Sequence, residues 1–342
     1  MTESPSPLTM FFSRHTRRRD LITFFGGVAA LRPLGVYAQA PNLPMIGFLS
    51  TFSPRSIGTY LDAFKSGMSE LGYVEGRNIG ITFRFAEGKF DRLDMLANDL
   101  VQRQVKLIAA SGGLVSAKAA MKATASIPIL FVSGFDPVEL GLVTSLKRPG
   151  GNATGASLFS AELLPKQLEL LYRLGPRIQD VAVLLNPQSV TPDIEAKEAM
   201  AAARIMGYQL HLFNASTASE IDAAFMMAAG QGVKAFLVTA SPFFTGRSAQ
   251  IVALAARHEM PVVYPWREYV DAGGLMSYGT GLIWGYKLIG QYAGRILKGE
   301  LPGDLPVQQP TKFDLVINLK TAKALGLTIP ETLLATADEV IQ

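Results

Sequence analysis

The side chains best suited to holding another molecule fall in seven short segments: Ser50-Thr51-Phe52, Ser111-Gly112-Gly113, Phe135-Asp136, Asn186, Ser241-Pro242-Phe243, Tyr264-Pro265-Trp266 and Ser277-Tyr278. They combine neutral hydrogen-bonding groups with aromatic rings, and Asp136 is the one clear carboxylate among them. Such a lining suits a small, partly apolar solute oriented by a few polar contacts. Asp136 would face an amine on that solute, because a desolvated carboxylate needs a positive or hydrogen-bonding partner. Its competing role is to cap a helix beginning near Pro137. Any single segment is also ordinary turn chemistry. Together they predict a pocket built from Ser50, Thr51, Phe52, Ser111, Gly112, Asp136, Asn186, Ser241, Phe243, Tyr264, Trp266 and Tyr278.

Catalysis finds less to work with. The chain has no Cys, which removes thiol nucleophiles, thiolate zinc sites, disulfides and a lipid-anchored cysteine. Its three His, at positions 15, 211 and 258, are scattered, so no catalytic metal is expected. Ser277 has Gly279 after it but Leu275 before it, which fails the nucleophile-elbow pattern. No Walker A motif occurs, and Gly230-x-Gly232-x-x-Ala235 leads into a strand instead of leaving one. No cofactor is predicted. Asp91 and Asp94 near Glu87 read as a charge cluster at a helix start, and His258 as a cation at a helix end. Arg267-Glu268 either pairs at a hinge or is solvated.

An alternating pattern of strands and helices must position these segments. Apolar runs predict strands at 45–49, 79–85, 105–110, 127–132, 181–185, 209–213, 233–238, 261–264, 275–278 and 313–318. Between the first two, Ile57, Tyr60, Leu61, Phe64, Met68 and Leu71 recur at helical spacing, and Gly72 stands at the C-cap. Thr191-Pro192-Asp193 supplies an N-cap, a proline and a first-turn acid; that helix ends at Gly207-Tyr208, as the earlier one ends at Gly72-Tyr73. Ser219 to Asp222 resembles a capping box, and a further helix runs through Trp284–Leu297. The repeat of strand, helix, Gly-Tyr and strand predicts α/β architecture: two doubly wound parallel-sheet lobes, with the chain crossing between them more than once. The seven segments lie at the carboxyl ends of predicted strands, where open α/β sheets bind ligands.

The 342 residues are 49% hydrophobic and only 18% charged, which excludes a mostly disordered chain and suffices for two cores. The net charge of +4 is uneven. Residues 1–38 hold five of the 32 basic residues and two of the 28 acidic ones, leaving 27 against 26 in the remainder. No nucleic-acid partner is therefore predicted. Arg17-Arg18-Arg19, a modestly apolar stretch from Leu21 to Leu34 and the small residues of Val36-Tyr37-Ala38 predict a signal peptide over 1–38, cleaved after Ala38. The paired arginines are similar to a twin-arginine signal, although Leu21 replaces the usual aromatic and Sec export stays open. A periplasmic location follows.

Phe24-Phe25-Gly26-Gly27, Ile46-Gly47-Phe48-Leu49-Ser50, Leu71-Gly72-Tyr73-Val74-Glu75-Gly76 and Phe85-Ala86-Glu87-Gly88 before Asp91-Arg92-Leu93 follow one another along the chain. Asp136-Pro137-Val138, the stretch 148–155, Ala272 to Gly279 and Gln309-Pro310-Thr311-Lys312-Phe313 to Leu327 come after them. On these residues rests a resemblance to the periplasmic solute-binding proteins of ABC transporters, in the type I branch related to tryptophan and aromatic amino-acid binding proteins. It implies two lobes joined by three crossover strands, with a small-molecule ligand closed between them and an ABC permease in the inner membrane as partner. It places Asp136 and the Ser50-Thr51 and Ser111-Gly112 loops at the cleft. A monomer with residues 44–157 and 273–305 in one lobe, and 158–272 and 306–342 in the other, is expected. The alternatives are a ligand-sensing domain for a signalling partner and a periplasmic α/β enzyme.

Overall fold

The computed structural model describes residues 43–342 apart from 176 and 177; the predicted leader lies outside them. Five strands form the first sheet: β1 (Met45–Ser50), β2 (Gly80–Phe85), β3 (Leu107–Ser111), β4 (Ile129–Ser133) and β5 (Ala153–Ser157). They lie in the order β2-β1-β3-β4-β5, all parallel. The second sheet holds β6 (Asp180–Leu185), β7 (Gln209–Asn214), β8 (Ala235–Val238), β9 (Val262–Tyr264), β10 (Met276–Gly279), β11 (Asp314–Asn318) and β12 (Glu339–Ile341). Its order is β12-β11-β10-β9-β8-β6-β7, and only the β10–β11 pair is antiparallel. The central strands are apolar without alternation because helices cover both faces of each sheet; every residue of β3, β4 and β8 is buried.

β5 escapes the sequence reading. Its sequence, Ala-Thr-Gly-Ala-Ser, lacks the branched and aromatic residues that mark strands. The small residues have a different use: a Cβ at Gly155 would collide with the Phe131 backbone, so bare glycine lets β5 lie close on β4. The capping box is formed by Thr217 and Glu220, two residues before the expected start. Thr191 does precede its helix, Pro192–Met206, but its hydroxyl makes no capping bond.

The lobe division differs from the expected one at two points. β10, assigned with 273–305 to the first lobe, pairs with β9 and β11 in the second sheet. Gln308, assigned to the second lobe, bridges to Ala156 at the open edge of the first sheet. An apolar run such as Leu275–Tyr278 fits a strand of either sheet, and only the pairing partners decide. Between these points, helix Leu282–Leu297 returns to the first lobe and crosses helix Gly58–Ser69 backbone to backbone. A Cβ at Gly67 would strike Lys287 O, and one at Gly290 would strike Phe64 O.

Candidate functional site

Beyond the carboxyl ends of both sheets lies a cavity with about 680 Å³ of space, part of it open to solvent. The first lobe contributes Phe52 after β1, the bend Gly112-Gly113 with Leu114 after β3, and Ser133-Gly134-Phe135 at the end of β4. The second lobe contributes Val190 after β6, Ser241, Pro242 and Thr245 after β8, and Trp266 after β9. Leu158, Leu282 and Tyr286 are also part of the wall. The two lobes touch around it: a Cβ on Gly113 would stand 3.0 Å from the Pro242 ring, and Tyr60 of the first lobe donates to Glu268 Oε1 of the second at 3.2 Å.

Of the predicted residues, Phe52, Gly112, Ser241 and Trp266 line this cavity. Ser50, Thr51, Ser111 and Asn186 are buried behind it and shape the loops that do. The Ser50 hydroxyl accepts the Phe52 N–H at 3.2 Å, and Thr51 Oγ1 donates to Gly112 O at 2.9 Å. Asn186 Nδ2 donates to Ser241 Oγ at 2.9 Å. The remaining four are elsewhere. Phe243 is buried under the Arg247 guanidinium, 3.8 Å from its ring centroid. Tyr264 is fully buried, stacked on Tyr269 at 4.7 Å. Tyr278 packs on Phe313 and receives Gln167 Nε2 on its carbonyl. Asp136 Oδ1 accepts the Val138 N–H at 2.7 Å, outside the lining. The acid thus closes the turn after β4, a short-range bond that aspartate makes readily beside proline, and no helix begins at Pro137.

Sequence reasoning missed Tyr286. Its hydroxyl shares a 2.7 Å hydrogen bond with Ser111 Oγ and accepts the Gly112 N–H at 3.2 Å, while its ring stacks on Tyr60 at 5.0 Å. Burial pushes its ionisation up to about 12, so it stays neutral. The available signal was its position four residues after Leu282, on the same helix face. Two acids close to this region are buried. Burial raises Glu268, whose Oε2 has no partner. Burial also pushes Glu195 up to about 8, against a hydrogen bond from Thr239, and its Oε2 is likewise unpartnered. Neither lines the cavity, and no charged side chain does among the described residues. No group of three potential metal ligands occurs among them either.

Two parallel-sheet α/β lobes, joined by several chain crossings around such a cavity, make up the type I periplasmic binding protein fold. The chain belongs to the family of ABC transporter substrate binding proteins, which it matches over residues 46–341. It is 29% identical over 283 residues to a tyrosine-binding protein of Clostridioides difficile strain R20291, covering 82% of this chain and 81% of that one. A Streptococcus pneumonia ABC domain in complex with L-Trp is 26% identical, with a TM-score of 0.78 over 87% of this chain and all of that one. A ligand-free, open substrate binding protein with adhesive properties from Clostridium difficile is 25% identical, with a TM-score of 0.61 over 88% of this chain and all of that one. At nearly equal identity, the present structure is closer to the ligand-bound relative than to the open one.

Proposed function

We propose that this chain is the solute receptor of an ABC importer, working in the periplasm as a monomer and without catalysing a reaction. It closes its lobes on a small organic solute of the amino-acid or aromatic-acid class and presents it to a membrane permease. The observation that carries this reading is the cavity whose wall alternates between lobes at Gly113 and Pro242 and holds Phe52, Trp266 and Tyr286. A wall shared by two lobes couples occupancy to closure, which is what a permease needs to distinguish loaded from empty receptor. Family membership and the relatives named for tyrosine and L-Trp support the solute class. No helix among the described residues is long and apolar enough to cross a membrane.

A thermal-shift panel of amino acids, aromatic acids and sugars tests the reading. A true ligand at a hundred times its dissociation constant adds roughly 2.7 kcal/mol of stability. One chemical class should raise the melting temperature without being consumed; a silent panel, or turnover of any member, contradicts the proposal. Residues 1–38 serve as the export signal in this account, on the strength of Arg18-Arg19 and the weak apolar stretch after them. Replacing both arginines with lysine should leave precursor in the cytoplasm, and normal processing of that variant would assign export to the Sec route.

A further inference from the structure

Glu268 stands where the two lobes touch, and the contact leaves it half satisfied. Its Oε1 accepts the Tyr60 hydroxyl of the first lobe at 3.2 Å, while its Oε2 is buried without a hydrogen-bond partner. The Tyr60 ring stacks on Tyr286 of the cavity wall, and Trp266, two positions before Glu268, belongs to the same wall. The acid is therefore tied to the lobe contact and to the cavity at once.

No cation compensates it. Glu268 takes part in no ion pair among the described residues. Its neighbour Arg267 is engaged by Glu339 Oε1 at 2.8 Å and by Asp271 Oδ2 at 3.3 Å. The other titratable groups close to it are Tyr286 from the first lobe and Tyr269 from its own short helix, Arg267–Asp271. The elements packed against that helix carry Tyr264, stacked on Tyr269; Tyr278, against Phe313; Asp314, paired with Lys312; and Arg257 at a helix end. Burial pushes the Glu268 carboxyl above the usual carboxylate range, and Asp271 adds to the push; its own backbone N–H, the Tyr60 hydroxyl and Arg267 offset part of it.

Much of that burial exists only while the lobes touch. When they part, the Tyr60 bond breaks, water reaches both groups, and the carboxyl returns towards its ordinary acidity. Building on the solute-binding reading above, we propose that closure of the lobes on the solute takes up a proton at Glu268. The sign follows from linkage: a group that holds its proton more tightly in the closed state favours that state as pH falls. Solute affinity is then greatest at acid pH and declines as pH rises, by up to about tenfold per pH unit where uptake reaches one proton.

Calorimetric titration of the full chain with L-tyrosine and with L-tryptophan, from pH 5 to pH 8 and in buffers of different ionisation enthalpy, counts the protons taken up. The native chain should take up a measurable fraction of a proton per solute bound and lose affinity as pH rises. Glu268→Gln keeps the size and an accepting oxygen but cannot titrate, so its uptake should vanish and its affinity should stay level. Tyr60→Phe keeps the stacked ring and loses the donor, which should move the native pH profile upward. Binding without uptake, an uptake that persists in Glu268→Gln, or an unmoved profile in Tyr60→Phe overturns the proposal and leaves the solute-binding reading standing. Absence of binding by both amino acids also overturns it, and the solute-binding reading falls with it only if the wider thermal-shift panel is silent too.

Discussion

Glu195 and Asp136 show what a residue's type leaves open. Asp136 stands at the tip of a predicted strand, where a ligand-binding acid belongs, yet its carboxylate serves the turn after β4. Glu195 lies in helix Pro192–Met206 and is only 2% exposed. Nothing in the spacing distinguishes them, because burial depends on which helix face meets the sheet. The structure gives Glu195 a pH signature. Burial raises its folded ionisation from near 4.5 to about 8, so the folded state holds a proton that the unfolded chain releases between those values. Its contribution to stability is complete below pH 4.5 and is lost as pH rises through 8. Glu195→Gln should remove that loss. The variant should gain on the native protein by a few kcal/mol, in order of magnitude, between pH 5 and pH 9. Denaturant midpoints at the two pH values measure the difference, and an unchanged gap would mean that Glu195 is hydrated in the folded protein.

At the scale of elements, apolar runs and Gly-Tyr helix ends made most strands legible, since buried parallel strands are continuous hydrophobic segments. The failures share a cause. β5 is built from small residues because β4 lies so close, and β10, expected in the first lobe, pairs in the second sheet because strand composition does not encode a partner. The helix pair Gly58–Ser69 and Leu282–Leu297 has the same character: its contact depends on Gly67 and Gly290, which look like weak helix residues in isolation. Gly290→Ala would force a methyl group into the Phe64 backbone. The expected cost is about 1–3 kcal/mol of stability, from overpacking that cannot relax without separating the helices. Because the same helix carries Tyr286 to the cavity, solute affinity should fall together with stability. Chemical denaturation and calorimetry on one preparation check both. Full native stability in this variant would show that the helices have room to part.

For the whole molecule, the lobes meet through contacts that composition could not announce. Tyr60 and Glu268, one from each lobe, are 208 positions apart and share a hydrogen bond; within the first lobe, Ser111 and Tyr286 are 175 apart. Four predicted site residues line the cavity because loops at strand ends must converge there. Part of the wall comes instead from helix Leu282–Leu297, whose approach is fixed only by the return of the chain to the first lobe. The central claim is that a solute is held between the lobes, and the chain carries its own reporter. Its two tryptophans are Trp266, in the cavity wall, and Trp284. In the Trp284→Phe variant all indole emission comes from Trp266. Titration with a solute whose binding is established by calorimetry should then change that emission saturably, with a midpoint equal to the calorimetric dissociation constant. Calorimetric binding with unchanged Trp266 emission would place the solute outside the cavity and contradict the account.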